Sequence, residues 1–131
     1  MKWYLLAWRR YAQFHGRSPR REYWVFTLVN AAIFLVLFLA GAGFSMVNHA
    51  ETGGITYILS TLYFLAVFIP SISCTVRRLH DMNKSGWWIL ISLIFIIGGV
   101  ALLVMLAFEG TRGNNPYGPD PRVHARAAAI G

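Results

Sequence analysis

Charge is excluded from three long stretches of this chain, and that exclusion limits what it can fold into. Residues 23–50, 52–76 and 85–108 contain no Lys, Arg, Asp or Glu, so all seventeen charged side chains lie between or outside them. An α-helix needs about 20 apolar residues to cross a hydrocarbon core about 30 Å thick, and each stretch exceeds that. Helices of a soluble bundle keep a polar face for water, which these stretches cannot supply. The expected fold class is all-α and integral to a membrane.

The twelve Lys and Arg residues are spread unevenly around the stretches. Six precede the first, none separates the first from the second, three separate the second from the third, and three follow. Basic residues concentrate on the cytoplasmic side of a membrane, so this pattern predicts a cytoplasmic N-terminus. Three full crossings then leave nine basic residues inside and three outside. The net charge of +7 reads as a topology signal and an attraction to anionic headgroups, not as a nucleic-acid surface. The single Cys74 forms no internal disulfide and reads as a small core residue. Ala40-Gly41-Ala42 imitates a signal-peptidase site, but the basic region before it is too long for a cleavable signal.

Local patterns place the elements. Over residues 2–14, Lys2, Arg9, Arg10 and Gln13 share one helical arc, while Trp3, Tyr4, Ala7, Trp8, Tyr11 and Phe14 share the opposite one. This predicts an amphipathic helix lying in the headgroup layer, a placement compatible with packing on the protein's own cytosolic face. Spans are expected at about 24–47, 55–76 and 87–108, with Ser18 as N-cap and Pro19 in the first turn of the first span. Gly41 and Ser45 form a small-residue pair suited to close helix approach. Residues 48–54 read as an external loop, Pro70 as a kink in the second span, and 77–85 as an inner loop that ends at Ser85, a second N-cap. Trp3, Trp8, Trp24, Trp87 and Trp88 sit where interfacial anchors belong. Gly98-Gly99 interrupts the third stretch. Three crossings are the preferred reading and put the tail outside; a re-entrant turn at these glycines would bring every basic residue inside. Residues 1–121 read as one membrane domain and 122–131 as a disordered tail.

Three polar clusters remain: Gly16-Arg17-Ser18-Pro19-Arg20-Arg21-Glu22-Tyr23-Trp24, Arg77-Arg78-Leu79-His80-Asp81-Met82-Asn83-Lys84-Ser85-Gly86-Trp87-Trp88, and Gly113-Asn114-Asn115-Pro116-Tyr117-Gly118-Pro119-Asp120-Pro121. In order and spacing, from about Trp3 to Pro121, they resemble the bacterial family of small inner-membrane proteins catalogued as domain of unknown function 805. The resemblance implies a multi-pass protein of the bacterial cytoplasmic membrane and brings no established activity. Two departures stand out: Asn83 occupies a place often held by Gly, and the third stretch lacks a mid-helix Pro that many relatives have.

Chemically, the clusters look like recognition or anchoring rather than catalysis. The His80–Asp81 pair has no positioned nucleophile, and His15, His49 and His124 lie in unrelated segments, so neither catalytic residues, nor a metal, nor a cofactor is expected. Glu22 and Asp81 are expected to pair with arginines of the opposite cluster. That leaves a cationic surplus among Arg17, Arg20, Arg21, Arg77, Arg78 and Lys84, with His80 beside it and a tail motif of Asn115, Gly118 and Asp120. Such a cap suits anionic lipid or an acidic segment of a membrane partner. The leading expectation is a non-enzymatic scaffold or accessory protein. The alternative is a small oligomeric transporter or channel, which the lack of ionisable groups within the spans disfavours.

Overall fold

The computed structural model describes residues 2–48 and 51–123. Four α-helices make up most of it: α1 Lys2–Arg9, α2 Arg20–Asn48, α3 Glu51–Asp81 and α4 Phe95–Ala107, with a 3₁₀ segment, Gly86–Leu93, leading into α4. No strand occurs among the described residues, where the only pairing is an isolated bridge between Asn115 and Gly118.

Helices α2 and α3 are antiparallel neighbours, long and apolar enough to cross a bilayer over Arg20–Gly43 and Gly54–Asp81. With 29 and 31 residues, they run about 44 and about 46 Å at 1.5 Å per residue. Both exceed the thickness of a hydrocarbon core of about 30 Å. They are also longer than expected. Helix α2 starts at Arg20, and α3 begins at Glu51 and continues past residue 76, leaving little of the predicted external loop. His49 and Ala50, in that loop, lie outside the described residues. Arg77, Arg78, His80 and Asp81 therefore stand on the last turns of α3 rather than in an inner loop. The helix closes where Asn83 takes φ 57°, allowing Asn83 N–H to donate to His80 O at 3.0 Å and Lys84 N–H to Leu79 O at 2.9 Å. This is the left-handed closure that satisfies terminal carbonyls, and Asn tolerates it.

Ser85 caps the 3₁₀ segment as expected, accepting from Trp87 N–H at 3.4 Å. Ser18 does not cap α2. Its hydroxyl lies 3.9 Å from Cys74 Sγ and its N–H donates to Arg77 O at 3.1 Å. Pro19 O instead accepts from Glu22 and Tyr23 N–H, at 3.1 and 3.3 Å. Helix α3 runs unbroken through the buried Pro70. Gly41 packs on α3, where an added Cβ would come 3.1 Å from Thr56 Cγ2; the side chain of Ser45 lies outside the described residues.

Helix α1 is shorter than the 2–14 expected, and Tyr4, Ala7 and Trp8 of its stripe face protein while Tyr11 and Phe14 beyond it are exposed. Ala7 is fully buried, Tyr4 stacks on Phe26 at 5.6 Å, and Trp8 meets the same ring edge-on at 6.2 Å. Beyond it, Ser73 Oγ donates to Gln13 O at 2.7 Å and Arg10 O at 3.2 Å, fixing this segment to α3.

The third apolar stretch does not form one straight helix. At its start, a Cβ on Gly86 would lie 2.8 Å from Val76 Cγ1; at its end, Arg78 Nε donates to Leu106 O at 3.0 Å. Val76 and Arg78 are two residues apart on one helix, whereas a straight helix over 87–108 would be about 33 Å long. The stretch therefore doubles back as a hairpin beside the two long helices, in place of the one continuous helix over 87–108 that is the preferred expectation. The reversal falls at Ile94 (φ −83°, ψ 76°), not at Gly98-Gly99, which lie in the first turns of α4. Gly98 is needed because the Ile91 carbonyl lies against its Cα and any Cβ would collide with it, while Gly99 faces open space. The hairpin tip is apolar and bare, with Leu93, Ile94, Ile96 and Ile97 all exposed.

The packed core sits at one end of the molecule. Ala7, Tyr23, Phe26, Val67, Cys74, Leu79, Leu102 and Leu106 are buried together, drawn from α1, the start of α2, the second half of α3 and the end of α4. Toward the opposite end α2 and α3 meet through Phe34 against Tyr63 and Phe64 and through Tyr63 O–H donating to Asn30 Oδ1 at 2.5 Å. Gly98→Ala is expected to destabilise the protein by about 1–3 kcal/mol through overpacking. Gly99→Ala should be neutral or stabilising by up to about 1 kcal/mol, as for Gly→Ala within an unobstructed helix. Thermal unfolding in detergent compares the two, and shifts of the same sign would refute this account of the reversal.

Candidate functional site

All three polar clusters converge at the packed end, on the C-terminal turn of α3. Arg17 enters from the turn before α2, where Gly16 has φ +87°. Its Nε donates to Asp81 Oδ1 at 2.9 Å, Nη1 to Gly113 O at 2.6 Å, and Nη2 to Thr111 O at 2.5 Å. One guanidinium thus ties together α3, the segment before α2 and the tail. Arg78 holds the other oxygen of Asp81, and its remaining nitrogens donate to Leu106 O and Phe108 O. Those carbonyls end α4, where no intrahelical donor remains and the helix dipole favours a cation.

The tail completes the closure of α3. Thr111 donates its N–H and its hydroxyl to Asp81 O, at 2.8 and 3.0 Å. Asn115 Nδ2 donates to His80 O at 2.9 Å, and its Oδ1 accepts from Tyr117 N–H at 2.9 Å. The His80 ring lies flat on Tyr117, with centroids 4.0 Å apart, and its Nδ1 stands 3.2 Å from Gly16 O. That nitrogen carries the proton, because a carbonyl can only accept. Gly118 forms the bridge with Asn115. Asp120 accepts from Gly113 N–H at 3.0 Å and from Arg122 N–H and Nε at 3.0 and 3.1 Å. Burial raises its pKa, but these donors outweigh burial and hold it at about 2. Arg122 is thereby placed in the cap, at the start of the segment expected to be disordered; residues 124–131 lie outside the described residues.

A second buried pair lies beside the first. Arg77 Nη1 donates to Glu22 Oε1 at 2.7 Å, and both side chains are fully buried. Arg10 Nη1 stands 3.6 Å from Glu22 Oε2. Glu22 Oε2 and Arg77 Nη2 have no hydrogen-bond partner.

The expected cross-cluster pairing is thus present, as Glu22 with Arg77 and Asp81 with Arg17. The expected cationic surplus is largely absorbed. Arg17, Arg77 and Arg78 are buried and turned inward, much of their charge met by backbone carbonyl dipoles that sequence alone did not reveal. Arg20 pairs with Glu109 at 2.8 Å on the surface. Arg21 and Lys84 remain exposed, Lys84 lying 5.2 Å from the Trp88 ring centroid. Among the tryptophans, Trp8 and Trp24 pack against the core, Trp3 is half-buried, and Trp87 and Trp88 are exposed. Two contributors had escaped notice. Any Cβ on Gly110 would collide with the Asp81 carboxylate, and Thr111 caps α3 from thirty residues away. Among the described residues, no group of three His, Cys, Asp or Glu side chains could hold a metal ion.

The model of the family described as a protein of unknown function (DUF805) matches residues 11–119. The chain belongs to this family. Inner membrane protein YhaI of Escherichia coli (strain K12) is 42% identical over 93% of this chain and 97% of its own length. Inner membrane protein YhaH of the same strain is 42% identical over 94% and 98%. The uncharacterized protein YiiR is 30% identical over 82% and 84%. No solved structure matches. This DUF805 chain is accordingly a membrane protein, and the matched interval spans both buried ion pairs.

Breaking a buried pair leaves a charge stranded, which costs about 3–5 kcal/mol. Asp81→Ala should therefore lower stability by about that amount and open the tail to trypsin at Arg112 and Arg122. Arg21→Ala, at an exposed position, should stay within about 0.5 kcal/mol of the parent. Equal effects in melting and limited proteolysis would contradict the role given to Asp81.

Proposed function

We propose that this chain is a non-catalytic scaffold or accessory protein of the bacterial inner membrane. In this reading α2 and α3 cross the bilayer, the N-terminus is cytoplasmic, and residues 86–107 form a re-entrant hairpin entering from the cytoplasmic side. One observation carries it: both ends of the third apolar stretch contact the last turns of α3, which gathers the polar segments at one end. Basic residues collect on the cytoplasmic side, and Glu51 is the only charged residue near the turn between α2 and α3. The bare tip, with Leu93, Ile94, Ile96 and Ile97 exposed, suits the acyl region of one leaflet.

The cap is a locked platform, and its outward charges supply a weak, sequence-tolerant hold on anionic headgroups. Arg21, Lys84 and Arg112 are exposed around it. Transport is disfavoured because the hydroxyls of α3 are engaged locally. Ser60, Thr61 and Thr75 each donate at 2.8 Å to the carbonyl four residues earlier, leaving little to line a polar path.

A basic residue near an anionic surface contributes about 1 kcal/mol. Combining Arg21→Gln, Lys84→Gln and Arg112→Gln should therefore lower retention of phosphatidylglycerol on the purified protein by at least about tenfold. Folding, read by melting, should be unchanged. Undiminished retention would refute the outward rim.

A further inference from the structure

A cleft of about 350 Å³ opens between α1, the start of α2 and the tail, and it is independent of the outward rim. Its walls include Trp3 and Leu6 on one side and Pro119 and Pro121 on the other; its charged groups are Arg10, Glu22 and Arg17, the last already committed to Asp81, Gly113 and Thr111. Glu22 is fully buried, and its two oxygens differ. Oε1 is taken by Arg77, which does not line the cleft; Oε2 is the oxygen nearest Arg10, which does, and it accepts no hydrogen bond. An unmatched carboxylate oxygen in a buried site is costly, so it marks a place where a donor is missing.

The charges around that oxygen define the missing donor. A simple anion would meet the Glu22 carboxylate, and a simple cation would meet the Arg10 guanidinium. Arg10 and Glu22 stand 3.6 Å apart without a hydrogen bond between them. A ligand that brings an N–H cation to Glu22 Oε2 and an anionic oxygen to Arg10 satisfies both at once, in charge-assisted bonds stronger than neutral ones. A second hollow, of about 520 Å³ and lined by Leu5, Trp3 and Leu6 with Lys2 and Arg9 at its basic edge, shares its wall with the first. It extends the cleft along an apolar surface suited to a hydrocarbon chain.

We propose that this cleft binds a phosphodiester carrying a primary ammonium, the headgroup chemistry of phosphatidylethanolamine. The ammonium donates to Glu22 Oε2, the phosphate accepts from Arg10, and an acyl chain lies along Trp3 and Leu6. A trimethylammonium headgroup has no N–H and cannot make the first contact.

Native mass spectrometry of the full chain, extracted from nanodiscs of equal phosphatidylethanolamine, phosphatidylcholine and phosphatidylglycerol, tests this. One ethanolamine lipid should be retained about tenfold over the choline lipid, the margin of one charge-assisted bond. Arg10→Gln removes the donor to the phosphate and should lower retention of the ethanolamine lipid about tenfold in a variant that still melts cooperatively. The outward-rim variant should keep it, so the two proposals fail separately. Displacement by soluble glycerophosphoethanolamine would keep the chemistry and assign the site to a free ester. Equal retention of ethanolamine and choline lipids, or retention of the ethanolamine lipid undiminished by Arg10→Gln, would overturn the proposal.

Discussion

A carboxylate buried at the end of a helix must gather cations and donors around it, and Asp81 draws them from segments far apart in the chain. Arg17 approaches from 64 positions upstream and Arg78 from the preceding turn of the same helix. Gly110 lies against the carboxylate itself, in space that no side chain could share. Because Arg17 also donates to Gly113 O and Thr111 O, the carboxylate sets the position of the tail as well as that of α2. The hairpin follows, since Arg78 holds its terminal carbonyls.

This explains why so small a membrane protein concentrates its core at one end. Two antiparallel helices in lipid have no hydrophobic drive toward each other, since acyl chains are as apolar as their side chains. Away from the cap, α2 and α3 rely on the Gly41–Thr56 approach, aromatic contacts and the Asn30–Tyr63 hydrogen bond. Near the cap, buried ion pairs and helix-end hydrogen bonds specify how the segments meet. Such pairs add little net stability over an apolar replacement, but they penalise any arrangement that strands one partner. Their value here is in register.

Much of this was legible from charge placement. The apolar stretches identify α2 and α3, Ser85 and Asn83 behave as their residue types suggest, and the excess of arginine over carboxylate anticipated pairing between clusters. The rest depended on backbone groups, which a list of side chains does not show. Gly98-Gly99 is the interruption visible in the third stretch, but the reversal belongs to Ile94, and Gly98 serves to leave space for the Ile91 carbonyl. The apparent surplus of arginine dissolves once the carbonyls of Leu106, Phe108, Thr111 and Gly113 are counted as acceptors. Alternation of aromatic and basic residues in α1 was visible, but a headgroup layer and a protein groove present the same apolar demand.

The inner turn after α3 and the tail share one end of the molecule, and a distance across the cap tests this directly. Spin labels at Lys84→Cys and Arg112→Cys, both exposed positions, can be measured by double electron–electron resonance in nanodiscs. The fold-back predicts a single distance well below the hydrocarbon thickness of about 30 Å. A distribution centred beyond that thickness would mean that the third stretch crosses the bilayer, and would contradict the account.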